Sequence, residues 1–408
     1  MLAIYNIGIK IYYFLVYFVS FFNIKAKKWI EGRKTWKKRW SNKNINSTAW
    51  FHFASLGEFE QGKPLMETYK ERFPDKKIVI TFFSPSGYEV RKNSPLGDYI
   101  LYLPLDTAKN AQDFIDIFKP EIAFFNKYEF WYHYFKALNK NNIPLYVTSA
   151  IFRPQQVFFK SYGSFNREIL SYVTHFFVQN TESLDLLKSI NFTNASLSGD
   201  TRFDSVNNLA KKVKDLPFVN QFKKDKKLLI AGSTWPEDEK ILAKCIVQEN
   251  EGWKIIFAPH EIKAEKIKYI EDLFPKGWVV KHSEIGSENI ENYRVLIIDN
   301  IGMLSSLYPY GEITYIGGGF GAGIHNTLEA ATWAKPVIFG PKYHKFQEAK
   351  DLIAIGAGFS INNQEELLKI YKKLSKDEIY RTASGNKARD YVKEHVGASE
   401  IIMKTLFK

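Results

Sequence analysis

The chemistry-bearing part of this chain that stands out first is Gly317-Gly318-Gly319-Phe320-Gly321-Ala322-Gly323, five glycines in seven positions, followed by Ile324-His325-Asn326-Thr327-Leu328-Glu329. The loop comes directly after the apolar run 313–316, and a short helical pattern separates it from a second apolar run at 336–339. An apolar strand, a glycine loop, a helix and a parallel strand make a site for phosphate and sugar. Glycine lets backbone approach a ligand with no Cβ in the way. A helix opening near Asn326 aims free N–H groups and its positive dipole end at an anion. Glu329, beside the glycine loop, is placed to accept from two ribose hydroxyls. Asn326 and Glu329 also have capping-box spacing, and His325 reads more simply as a packed ring.

Two further loop-to-helix junctions share this grammar. In Ala54-Ser55-Leu56-Gly57-Glu58, Ser55 and Glu58 have capping-box spacing, yet a carboxylate at a strand terminus can also take a proton from a substrate hydroxyl. In Gly232-Ser233-Thr234-Trp235-Pro236-Glu237, Thr234 and Glu237 form a second such pair and Pro236 occupies the first turn. Ser233 and Thr234 read equally as caps and as phosphate donors. Polar groups also follow three other apolar runs: Pro259-His260 after 253–257, Asn300-Ile301-Gly302-Met303 after 295–298, and Lys127-Tyr128-Glu129 after 122–125.

The elements that must position these residues are continuous apolar runs rather than alternating ones. They lie at 49–53, 77–82, 99–103, 122–125, 145–148 and 175–178, then at 227–230, 253–257, 295–298, 313–316 and 336–339. Such runs are strands buried on both faces of parallel sheets. Two series imply an α/β protein of two Rossmann-like, doubly wound domains facing a cleft, with ligands at the carboxyl ends of the strands. The expected division is 44–205 for the first domain and 223–385 for the second, joined by a polar, lysine-rich stretch. Residues 386–408 read as a final helix packing back on the first domain.

Composition narrows the class. The chain has 408 residues, 45% of them apolar and 25% charged, as in folded proteins. Its one cysteine excludes an internal disulfide framework, and no Cys/His cluster has zinc spacing, so no metal is expected. The net charge of +13 is concentrated at one end: residues 1–43 hold ten basic side chains against Glu31 alone, nine of the thirteen net charges. A basic groove for nucleic acid is therefore not expected. Residues 1–22 are largely apolar, and Lys10 breaks the roughly 20 apolar residues of a spanning helix. Charges behind the apolar stretch and the lack of a small-x-small site argue against a cleaved signal peptide. Residues 1–43 are read as a membrane-seated helix and a polybasic segment on anionic cytoplasmic headgroups, which keeps the rest of the chain inside the cell. The alternative is an ordinary buried helix with a basic surface helix behind it.

In these residues, taken in order, the chain resembles the bacterial 3-deoxy-D-manno-octulosonic acid (Kdo) transferases, glycosyltransferases of the GT-B arrangement. The likeness runs from the N-terminal anchor through Ser55-Leu-Gly57-Glu58, Thr81 to Gly87, Glu129-Phe-Trp131 and Gly199-Asp-Thr-Arg202-Phe-Asp204. It continues through Ser233-Thr234, Pro259-His260, Gly302, the run from Gly317 to Glu329, Pro336 and Gly340-Pro341. The resemblance implies transfer of Kdo from CMP-Kdo to a lipid A precursor at the cytoplasmic face of the inner membrane, with inversion and with CMP leaving. It implies Glu58 as general base and Glu129 and Arg202 near the reacting centre. Ser55, Gly57 and Lys127 fall on the acceptor side. Ser233, Thr234, Pro259, His260, Ile301, Gly302, Met303, Gly319, Asn326, Thr327, Leu328 and Glu329 fall on the CMP side. No resident cofactor is implied, since CMP-Kdo is a substrate, and a guanidinium such as Arg202 suits its anions without a metal.

The chain departs from the family pattern at Lys127, where an acidic residue is usual, at His260-Glu261 in place of Arg-His, and at Lys345 in place of Asn before Phe346. A UDP-sugar transferase or epimerase would share the glycine loop and late glutamate but not Ser55-x-Gly57-Glu58 with an anchor. Outside enzymes, the rival is a membrane-bound adaptor that keeps the fold without catalysis.

Overall fold

The structure is a computed structural model that describes residues 1–248, 252–286 and 289–407. It divides into two compact units, Met1–Ser205 with Gly397–Lys408, and Val206–Val396.

The first unit is built on strands β1 (Thr48–Phe53), β2 (Lys77–Phe82), β3 (Tyr99–Tyr102), β4 (Pro120–Asn126), β5 (Leu145–Ala150), β6 (His175–Val178) and β7 (Ala195–Leu197). They form one seven-stranded sheet in the order β3-β2-β1-β4-β5-β6-β7. The second unit has β8 (Lys227–Thr234), β9 (Trp253–Pro259), β10 (Val279–Lys281), β11 (Val295–Ile297), β12 (Ile313–Ile316), β13 (Val337–Phe339) and β14 (Gly358–Ser360), in the order β10-β11-β9-β8-β12-β13-β14. The neighbouring strands run parallel. Every side chain of β1 is buried, as a strand covered by helices on both faces requires.

Each order reverses direction once, between β1 and β4 in the first sheet and between β8 and β12 in the second. Crossovers on either side of such a point diverge and leave a crevice at the carboxyl ends of the two strands. Glu58 follows β1 and Glu129 follows β4; Ser233 and Thr234 end β8, and the glycine loop follows β12.

The strand readings need three additions. β7, β10 and β14 each have three residues and lie at sheet edges, too short and too little buried to show as apolar runs. The final helix also needs correction. Residues 386–408 are not one helix: the helix Glu378–Glu394 stops, Gly397 turns at φ 118°, and a separate helix Ala398–Leu406 follows. Lys408 lies outside the described residues. Ile402 and Met403 of that last helix join the first unit's core beside Phe51 and Phe124. The boundary region is likewise more regular than a polar linker, because the helix Thr201–Ala210 runs through it.

Residues 1–43 do not stand apart. Helix α1 (Leu2–Val19) is followed by α2 (Ile24–Lys34) and α3 (Trp36–Trp40), and Trp36 and Trp40 enter the first unit's core. Arg33 is no part of a basic surface. It is buried, donating from Nε to Leu103 O at 2.7 Å, from one terminal nitrogen to Phe83 O at 2.6 Å, and from the other to Trp29 O at 3.0 Å. Three carbonyls and the face of Trp29 at 3.8 Å replace its hydration.

α1 lies against the unit along one face. Tyr5 donates to Asp106 at 2.5 Å, and Asn6 accepts from His133 Nε2 at 2.6 Å. Tyr12 meets Trp29 edge-on at 5.7 Å. The other face leaves Ile4, Ile7, Ile11, Phe14, Leu15 and Phe18 exposed. Among the described residues, α1 is the one helix long and apolar enough to cross a membrane.

Candidate active site

In the first unit Glu58 stands in the first turn of α4 (Leu56–Arg72), whose N-cap is Ser55. The expected capping box does not form: Glu58 Oε2 accepts the backbone N–H of Ala54, one residue before the N-cap, at 2.7 Å, and Ser55 makes no side-chain cap. The Ser55 hydroxyl is thus not used to hold the helix start. Burial raises the Glu58 carboxyl to about 7, and the nearby Glu129 adds to this, against the Ala54 N–H and Lys127, which lower it. A base with that affinity is half ionised near neutral pH.

Gly57 has neither a positive φ nor any atom within 4 Å of where a Cβ would sit, so nothing in the fold demands glycine there. Lys127 holds φ 56°, an unfavourable left-handed conformation for lysine, at the carboxyl end of β4.

Behind these residues lie two polar chains that reading along the sequence does not join. In one, Asn126 donates to Gln61 Oε1 at 3.0 Å and Gln61 donates to Asp200 Oδ1 at 2.5 Å. Asp200 in turn takes the Arg202 N–H at 2.9 Å and its Nε–H at 2.8 Å. Arg202 is therefore seated on a buried carboxylate. Burial would raise that carboxyl, but Arg202 and Lys127 outweigh it and hold Asp200 below its ordinary value. In the other chain, His52 links Thr81 to Glu129, whose Oε2 also accepts from Trp131 Nε1 at 3.0 Å. The signal for His52 is a lone imidazole in an otherwise apolar, doubly covered strand; Gln61 carries no comparable signal.

In the second unit the glycines divide by physical cause. A Cβ on Gly317 would lie 2.3 Å from Ser233 O, and one on Gly319 2.5 Å from Gly340 Cα. These two are required by close packing of neighbouring backbone, not by a ligand. Gly318 and Gly323 are required by φ of 92° and 142°, and Gly321 by neither cause.

The Thr234–Glu237 capping pair does not form. Thr234 donates to Glu239 at 2.9 Å, and the cap is Asp238, which accepts the N–H of Trp235 at 3.0 Å. Buried Asp238 also accepts Gly318 N–H at 2.8 Å and Tyr315 OH at 2.7 Å, so one carboxylate ties the helix Pro236–Gln248 to the glycine loop. The helix expected at Asn326 is a single turn, Leu328–Ala331, with Thr327 as N-cap, so its dipole is weak. Asn326 accepts the Leu328 N–H at 3.1 Å and donates to Glu329 at 3.2 Å, bringing the expected pair together.

His260 follows Pro259, the last residue of β9, and packs nearly parallel to two rings, Trp235 at 4.7 Å and His325 at 4.6 Å. Trp235 Nε1 donates to His325 Nε2 at 3.2 Å; burial, with the neighbouring His260, lowers His325 to about 4 and keeps it neutral. Ile301 is exposed, Gly302 turns at φ 98° in open space, and Met303 caps the short helix Leu304–Leu307.

Comparison with known proteins agrees with this architecture. Among solved structures, UDP-GlcNAc 2-epimerase from Neisseria meningitidis superposes with a TM-score of 0.64 over 89% of this chain and 99% of its own, at 17% identity. The fold is thus of the GT-B class, two Rossmann-like units each with a parallel sheet. Residues 31–205 match the family described as 3-Deoxy-D-manno-octulosonic-acid transferase (kdotransferase). The 3-deoxy-D-manno-octulosonic acid transferase of Aquifex aeolicus is 28% identical over 86% of this chain and 96% of its own. That of Chlamydia trachomatis serovar A is 25% identical over 93% and 91%. Over most of its length the chain is thus similar to the Kdo transferases.

Proposed function

We propose that the chain transfers Kdo from CMP-Kdo to a hydroxyl of a lipid A precursor in lipopolysaccharide biosynthesis, with inversion. Glu58 takes the acceptor's hydroxyl proton. The freed oxygen electron pair forms the new bond to the anomeric carbon of Kdo, and the bond from that carbon to the CMP phosphate breaks with its electrons leaving on CMP. The observation that carries this reading is the environment of Glu58. A carboxyl raised to about 7 at a sheet's switch point is the right strength for a base near neutral pH.

The second unit holds the nucleotide through the β8, β9 and β12 termini. Asn326, Thr327, Leu328 and Glu329 serve the ribose and His260 offers its ring edge to the phosphate, with Ser233, Thr234 and Ile301 to Met303 around them. In the first unit, Arg202 and Lys127 supply positive charge near the reacting centre. No metal or resident cofactor is invoked.

The exposed apolar face of α1 seats the enzyme in the cytoplasmic leaflet of the inner membrane. Contacts along its opposite face favour a helix lying in the interface over one that spans. Mass analysis of products from CMP-Kdo and a tetra-acylated lipid A precursor tests the reading. A Kdo-bearing lipid and released CMP are expected; turnover of UDP-sugars instead, or full complementation by Glu58→Gln, would overturn it.

A further inference from the structure

The polar chain through β1 has only one consistent arrangement of protons. Parallel register places His52 beside Thr81 of β2, and the Phe125 ring of β4 lies 4.8 Å from the imidazole. Trp50 Nε1 lies 2.8 Å from Thr81 Oγ1, which lies 2.8 Å from His52 Nδ1. His52 Nε2 lies 3.2 Å from Glu129 Oε2, which Trp131 Nε1 approaches to 3.0 Å.

Tryptophan N–H can only donate, so both ends of the chain are fixed. Thr81 Oγ1 must accept from Trp50, and its single proton goes to His52 Nδ1. His52 then carries its proton on Nε2 and donates to Glu129, which receives two N–H groups on one oxygen as a carboxylate. The reverse polarity would need a protonated Glu129 and would leave the Thr81 proton with no acceptor among the described hydrogen bonds. A doubly protonated His52 is opposed by complete burial and by Arg33, although Glu129 and the Thr81 backbone favour it.

We propose that His52 is a positioning residue: as the Nε2–H tautomer it holds the Glu129 side chain in place near Glu58. The inference rests on the reading of Glu58 as base. The groups that bear on the pair come from every neighbouring element: Tyr12 of α1, Arg33 of α2, Thr81 of β2, Lys127 of the turn after β4 and Glu58 itself. Glu129 is the like charge among them, and it raises Glu58 while Lys127 lowers it. Losing a donor to Glu129 lets its side chain swing away, so the like charge is no longer held near Glu58 and Glu58 becomes a weaker base.

The experiment is the pH dependence of kcat/KM for Kdo transfer by the full-length protein in detergent, with CMP-Kdo and a tetra-acylated lipid A precursor. His52→Phe keeps a ring in the strand and removes the hydrogen bond; Trp131→Phe removes the second donor at a less buried position, in case the strand variant fails to fold. Each is expected to move the acid limb down by about half a pH unit or more and to lower kcat about tenfold, with CMP affinity unchanged. His52→Gln, which still presents an N–H to Glu129, should restore the limb. An acid limb that coincides with the wild type in Trp131→Phe and in folded His52→Phe would overturn the proposal. Glu58→Ala separates the two levels: wild-type turnover there removes the base itself, whereas an inactive Glu58→Ala with unmoved limbs removes only the role of His52.

Discussion

Asp204 holds the last helix in place: its two carboxylate oxygens accept the backbone N–H of Gly397 at 2.6 Å and of Ser399 at 2.7 Å. It thereby serves as a remote N-cap for the helix Ala398–Leu406. Asp204→Ala leaves both donors without that partner at a buried helix start, at a cost of about 2 kcal/mol. Amide exchange over residues 398–406 should quicken well before global unfolding; unchanged protection would show that core contacts of Ile402 and Met403 suffice.

The raised Glu58 carboxyl has a stability consequence whose sign is fixed. Its folded value of about 7 lies above the ordinary 4.5, so between these values the unfolded chain binds fewer protons than the folded one. Stability therefore falls as pH rises through that window and stays lowered above it. Glu58→Gln removes the effect and keeps an acceptor for Ala54 N–H. The first unit should gain on the order of 2–3 kcal/mol at pH 8 and little near pH 4.5 in denaturant unfolding. An equal change at both pH values would contradict this.

Gly57 separates folding from function. Alanine meets no atom there and favours the helix start, so Gly57→Ala should raise stability by about 0.5 kcal/mol. If the acceptor approaches this turn, transfer should nevertheless fall. A variant as active as the wild type would remove Gly57 from the acceptor side.

Two neighbouring glycines should behave oppositely. Gly319→Ala drives a Cβ into the Gly340 backbone and should destabilise the second unit by about 3 kcal/mol or more. Gly321→Ala, whose nearest foreign atom is 3.6 Å away, should stay within about 0.5 kcal/mol of the wild type. Thermal unfolding of the two variants decides the matter.

The membrane seat is tested on α1's outer face without disturbing its inner one. Phe14→Gln with Phe18→Gln removes two exposed aromatic groups, each worth about 1.5–3 kcal/mol of transfer, and should release the folded protein from anionic vesicles. Unchanged co-sedimentation would remove this face as the seat.

The apolar runs and their turns were enough to read two parallel α/β units and most of their strands, because a doubly covered strand must be apolar along its length. The three-residue edge strands carried no such mark. Capping spacing was legible but ambiguous: Ser55–Glu58 and Thr234–Glu237 look alike in sequence. Yet Glu58 closes back on Ala54, while Asp238 displaces Glu237 as the cap.

What the sequence determined by itself is therefore the periodic part, the strands, the glycine loop, the apolar end, and a resemblance carried by residues in order. What only tertiary structure decided is which side chains meet. Arg33 leaves the basic surface for the core, the glycines of the loop separate into packing and conformational requirements, and His52 finds Glu129 seventy-seven positions away. The reason is physical: burial and strand register set proton positions and carboxylate strength, and neither is a property of residues along the chain.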